Sequence, residues 1–204
     1  MPHQPDSVVA KDAGGGFAPH AEGQFAMLCV DVVDLGTNVE VFPGQEAREV
    51  AKVALVFASG ARQTEVQESE LTLVTTEMTN SANEKANLRK FLEAWRGRSY
   101  TAEQAEAGLP LQKLHGKFAL VSIEHVTTRK GRKFAKIKSI SPLPEQIKPP
   151  DAKALLAEYE RPKFLTDRKA QYAEALKKHR SAMGEEIPEP EYPGDDDEGD
   201  SIPF

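Results

Sequence analysis

One switch of hydrophobic period constrains this chain more than any other feature. Three runs, GQFAMLCVDVVDLG, EVAKVALVFASG and ELTLVTTEMT, are rich in Val, Leu, Phe and Thr and are bounded by turn residues. They predict strands at about 24–34, 49–58 and 70–79. The period then changes from 2 to 3.6. In SANEKANLRKFLEAWRG, the residues Leu88, Phe91, Leu92 and Trp95 recur at i, i+3, i+4 and i+7, which makes one apolar helical stripe. Ser81 with Glu84 has capping-box spacing, and Gly97 stands where a helix C-cap favours glycine. A second pattern, Thr101 with Gln104, predicts a short helix ended by Gly108 and Pro110. Two further strands follow at about 117–127 and 133–142, joined by a hairpin turn at Arg129, Lys130, Gly131 and Arg132. The order β-β-β-α-β-β predicts a mainly β domain over residues 23–144.

The flanking segments have other textures. Residues 1–22 contain Gly14-Gly15-Gly16 and three prolines and read as a flexible arm. Residues 145–184 read as a linker with helical stretches at about 152–160 and 166–183, whose thin apolar stripe is Tyr172, Leu176 and Met183. Residues 185–204 have nine acids, no base and little to bury, so disorder is expected there. The overall charge of −6 is therefore an average over unlike parts, because residues 1–184 alone carry +3. A mildly basic body with an acidic tail points toward nucleic acid. The chain shows no membrane-spanning apolar run and no secretory h-region, and a cytoplasmic location is expected.

Catalysis finds little support. The five histidines are scattered, and no metal-binding His spacing, nucleophile elbow or phosphate loop is present. The single cysteine, Cys29, lies in an apolar strand and is expected to be a buried structural thiol. Carboxylates at Asp195, Asp196 and Asp197 sit in a Gly/Pro-flanked tail that cannot hold a metal in fixed geometry. The expectation is a non-enzyme with no catalytic residue, no metal and no cofactor.

Binding finds more. Between Lys117 and Ser141 there are seven bases, Lys117, Arg129, Lys130, Arg132, Lys133, Lys136 and Lys138, against one acid, Glu124. Alternation places Phe134, Lys136 and Lys138 on one face of the last strand, with Ala135, Ile137 and Ser139 on the other. Cations that track phosphates, with an aromatic ring for a base to stack on, are what a single-strand binder needs. Lysines that merely solvate an exposed strand would give the same pattern. Trp95 lies on the helical stripe and reads as a core anchor, whereas Tyr100 fits either a packing or a stacking role.

ANEKANLRKFLEAWRGRSYT, with DLG at Asp34–Gly36 and SISPLP at Ser139–Pro144, resembles a family of bacteriophage single-stranded DNA-binding proteins. That resemblance implies an OB-fold, a five-stranded barrel with a helix between its third and fourth strands. Its strand 2–3 face and its 1–2 and 4–5 loops bind oligonucleotides. It implies single-stranded DNA contacts at Lys117, Arg129, Lys130, Arg132, Lys133, Phe134, Lys136, Lys138 and Tyr100. The ending DDDEGDSIPF is similar to the acidic tip of bacterial single-stranded DNA-binding proteins, although Glu198-Gly199-Asp200-Ser201 interrupts the pattern. This second likeness implies recruitment of a polymerase, helicase, primase or nuclease through Asp195, Asp196, Asp197, Asp200, Ile202, Pro203 and Phe204. The resulting expectation is a protein that coats single-stranded DNA with little sequence preference during phage replication or recombination, in the host cytoplasm. The competing readings are an annealing or recombination mediator, and a protein-interaction adaptor that binds no nucleic acid. Oligomeric state is left open.

Overall fold

Strands β1 (Gly23–Glu40) and β2 (Arg48–Arg62) carry apolar side chains at both parities, so a sheet built on them must bury both faces. The computed structural model describes residues 19–62, 71–128, 131 and 133–184. The arm up to residue 18, the turn residues Arg129, Lys130 and Arg132, and the acidic tail 185–204 lie outside the described residues. With β3 (Leu71–Thr79), β4 (Phe118–Thr127) and β5 (Lys133–Ser141), one antiparallel sheet forms in the order β3-β2-β1-β4-β5. Between β3 and β4 lie α1 (Asn87–Arg96), α2 (Ala102–Glu106) and a 3-10 turn at Leu111–Leu114. After β5 come α3 (Ala152–Glu158) and α4 (Lys163–Ala182).

The result is three layers around two apolar clusters. On one face, Met27, Cys29, Leu55, Phe57 and Val121 meet Leu88, Leu92 and Trp95 of α1. On the other, Leu28, Val30, Val33, Ala54 and Val56 meet Leu155, Leu165 and Tyr172 of α3 and α4. Each fully buried aliphatic or aromatic side chain contributes about 1.5–3 kcal/mol relative to exposure. Trp95 takes the anchoring role read from its stripe, and its indole N–H donates to the Phe118 carbonyl at 2.9 Å. The edge strands β3 and β5 approach each other, and α1 packs against both. No ladder joins them among the described residues, so the sheet is open rather than a closed barrel.

Two glycines that read as turns lie inside strands instead. Gly36 (φ 76°) and Gly60 (φ 81°) sit at register shifts, one between Asp34 and Gly36, the other between Ala58 and Arg62. The extra chain there, one residue in β1 and two in β2, bends and twists the strand without ending it. Strands β1 and β2 therefore run on to Glu40 and Arg62, beyond the expected ends. The predicted Ser81–Glu84 box does not form. Ser81 Oγ accepts the Asn83 N–H (3.2 Å) and Asn83 Oδ1 accepts the Lys85 N–H (2.9 Å), and these local turns delay the helix to Asn87. The Thr101–Gln104 box does form in both directions, and Gly97 caps α1 in the left-handed conformation.

The C-terminal helices are bound to the sheet by polar ties as well as apolar packing. Asp31, itself buried, accepts from Arg161 Nε (2.8 Å), Arg161 Nη2 (3.1 Å) and the Tyr159 hydroxyl (2.7 Å). Burial opposes ionisation of Asp31, but these donors outweigh it and hold the carboxyl below the usual carboxylate range. Further along, the Tyr172 hydroxyl donates to Glu77, and Arg180 makes a two-bond pair with Glu49. The apolar stripe differs from the one read in the sequence: Leu165 and Tyr172 are buried, whereas Met183 is 69% exposed. At the other end the described chain begins just before His20. His20 is buried against Phe25, its Nδ1–H donates to the Ala21 carbonyl, and its Nε2 meets Ser59 Oγ at 2.6 Å.

Candidate nucleic-acid interface

The outer face of the sheet, opposite α1, is divided. Its β1–β2 half is aliphatic and lies under α3 and α4, and β3 is reached there by the Glu77–Tyr172 bond. The resemblance implied that a strand 2–3 face binds oligonucleotides, but on β2 this face is covered and carries Ala54, Val56 and Ala58 rather than cations. The sequence held a signal for this. VALVFA in β2 is apolar at every position, which marks a strand buried on both faces.

The β4–β5 half is open. Phe134, Lys136 and Lys138 are all exposed, and Ala135 and Ile137 between them turn toward the core, as alternation predicts. Phe134 presents 41% of its surface, a large value for an aromatic ring on a regular strand. The alternation then breaks. A register shift opposite Ser122 and Ile123 inserts an extra residue at Lys138, so Ile140 points inward and Ser139 outward, reversing the expected side for Ser139. Lys136 stands opposite Glu124 in register, and Lys138 Nζ lies 3.9 Å from Glu124. Both partners of that pair are well exposed, so it holds the lysine weakly and leaves it available to another anion. Lys133 is exposed at the start of β5.

The other two predicted residues lie at the far end of this two-stranded ribbon. Lys117 precedes β4, and its carbonyl accepts the Cys29 N–H at 2.9 Å. Tyr100 is half-buried against the inner cluster, and its ring is covered by the Arg96 guanidinium 4.0 Å from the centroid. Its N–H donates to Glu93 Oε1, which together with Arg89 holds that carboxyl below its usual range. The structure thus gathers Phe134, Lys136 and Lys138 into one row, leaves Lys133 exposed at the start of the strand on the alternate parity, and sets Lys117 and Tyr100 apart from them.

Two exposed aromatics were missed, Phe42 and, near the start of α4, Phe164. Phe42, 48% exposed beside Val41 (70%), lies in the β1–β2 connection, where an unusual apolar Val-Phe-Pro run between two strands was the available signal. Cys29 is buried with its thiol pushed up to about 12 by burial, which keeps it protonated and unreactive. Among the described residues no three His, Cys, Asp or Glu side chains cluster as a metal site, and no helix is long and apolar enough to cross a membrane. Compared with family models, with curated proteins and with solved structures, the chain gives no match.

Proposed function

We propose that this chain is a single-stranded DNA-binding protein built on an OB-type, partly open barrel, which takes its strand on the β4–β5 ribbon. The observation that carries the reading is the exposed row Phe134, Lys136, Lys138 on the one half of the outer face that the helices leave free. A ring flanked by cations two and four residues on stacks a base while the lysines meet phosphates, without reading sequence. The lysines beside the exposed Phe134 ring favour this over an adaptor, since protein interfaces are rich in aromatics but depleted in lysine. The strand order and the helix between the third and fourth strands support the OB assignment. The β1–β2 connection with Phe42 and the β4–β5 turn would border the site. No bond is made or broken in this role.

In this reading the segment Asp195 to Phe204 recruits replication or recombination enzymes, its acids steering the encounter and Ile202, Pro203 and Phe204 entering an apolar pocket. Fluorescence anisotropy with labelled oligo-dT at two salt concentrations tests the central claim. Submicromolar binding that weakens steeply with salt is expected, as counterion release requires. Absent or salt-independent binding would sink the proposal. Removing residues 185–204 is expected to abolish capture of a partner enzyme while leaving oligo-dT affinity equal or higher.

A further inference from the structure

We propose that the turn Arg96-Gly97-Arg98-Ser99-Tyr100 is a second phosphate-binding point for the same strand, at the opposite end of the ribbon from Phe134. The inference rests on the single-strand reading above and extends it to a site that reading does not use.

The turn is fastened to the ribbon's far end. Trp95 bonds the Phe118 carbonyl at the start of β4, which pairs with the last residues of β5. Gly97 is pressed so closely on Pro142, just past β5, that a Cβ there would stand 3.0 Å from the proline Cγ. Nine residues of β5 therefore separate the two ends, a span of about 30 Å. Lys136 and Lys138 lie between them on the outer face, so a strand seated on Phe134 and led along β5 meets the turn by rounding the end of β5 at Pro142.

Two neighbouring arginines show why this turn suits an oxyanion. Arg89 is spent on structure: it bonds Glu93 Oε1, the Ala82 carbonyl and the Tyr100 carbonyl. Arg96 lies over the Tyr100 ring, and its Nη1 is buried with no hydrogen-bond partner among the described residues. A buried guanidinium nitrogen without an acceptor is costly, and a small side-chain shift that brought it to a phosphate oxygen would relieve that cost. The ring contact restrains the guanidinium in advance, which lowers the ordering cost of a phosphate contact. Arg98 is exposed one residue beyond the cap, and Ser99 beside it offers a hydroxyl. Glu93, the acid closest in sequence, is already engaged by Arg89 and by the Tyr100 N–H.

The test uses the full chain, oligo-dT of about four and about sixteen nucleotides, which bracket the usual footprint of such a domain, and two variants. Arg98→Ala removes an exposed charge at little risk to folding, and Arg96→Lys keeps the charge but loses the fork; thermal melts check both. Each variant is expected to weaken the long oligonucleotide about tenfold and the short one little. Arg98→Ala should also reduce the salt slope for the long one by about 0.7. If wild type binds neither length, the single-strand reading itself fails, and this site with it. If wild type binds and Lys136→Ala/Lys138→Ala weakens both lengths, but Arg98→Ala and Arg96→Lys change neither, the second point alone is refuted. Equal loss on short and long oligonucleotides also refutes it, because the turn would then be part of the first contact.

Discussion

Leu165→Ala asks whether α4 is part of the cooperative fold or a detachable appendage. Leu165 is 2% exposed and sits in the outer cluster with Val33, Val56 and Tyr172. Truncation removes three buried carbons, about 2.4 kcal/mol of transfer free energy at about 0.8 kcal/mol each. The cavity left under a helix clamped by the Asp31–Arg161 and Glu49–Arg180 pairs cannot fully collapse, which raises the expected cost to about 3 kcal/mol. The reporter is built in. Trp95 is the chain's single tryptophan, and it lies in the inner cluster, across the sheet from Leu165. With a urea m-value of about 2 kcal/mol/M, the Trp95 fluorescence midpoint should fall by about 1.5 M, in step with the helical signal in far-ultraviolet circular dichroism. An unchanged Trp95 midpoint with earlier loss of helix would refute the reasoning. It would mean that α3 and α4 unfold alone and that the covered half of the sheet stands without them.

Three further outcomes are expected. Phe134→Ala should weaken oligo-dT binding by about 1–3 kcal/mol and Phe134→Tyr should restore it; an unaffected Phe134→Ala variant would remove the stacking role. The folded carboxyl of Asp31 titrates below its unfolded value of about 3.9, so its contribution is present above that pH and is lost as pH falls through the folded value. Stability measured from pH 7 down to acid should therefore fall less steeply in Asp31→Asn than in wild type, and identical slopes would contradict the assignment. Native protein should leave Cys29 unmodified by a thiol reagent that labels it fully in denaturant, and rapid native labelling would show that its burial is misjudged.

What the sequence revealed follows from how local each signal is. The stripe Leu88, Phe91, Leu92, Trp95 is held within a few turns of one helix, and it packs as its spacing implies. The row Phe134, Lys136, Lys138 is equally local and is exposed as alternation requires. Gly36 and Gly60 misled, because positive φ serves a hairpin turn and a bulge alike, and only strand pairing tells the two apart. The bulge at Lys138 has no glycine to mark it. The placement of α4 was hidden by its sparse stripe, Leu165 and Tyr172 seven residues apart with polar side chains between. Its docking partner was visible instead in the doubly apolar β1 and β2. Arg96 stayed unread because its significance is a missing acceptor, a property of three dimensions that no spacing carries.

The Arg180–Glu49 pair has a consequence for the route of the chain. It pins the last turn of α4 beside the start of β2, on the covered half of the sheet. The twenty residues of α4 thus carry the backbone about 30 Å from the Arg161 tie. The end of α4 is displaced from the Phe134–Lys138 row, so on the proposed reading a partner held near it would approach from a different quarter than a strand lying on β5. The two can be held together without contesting the same ground.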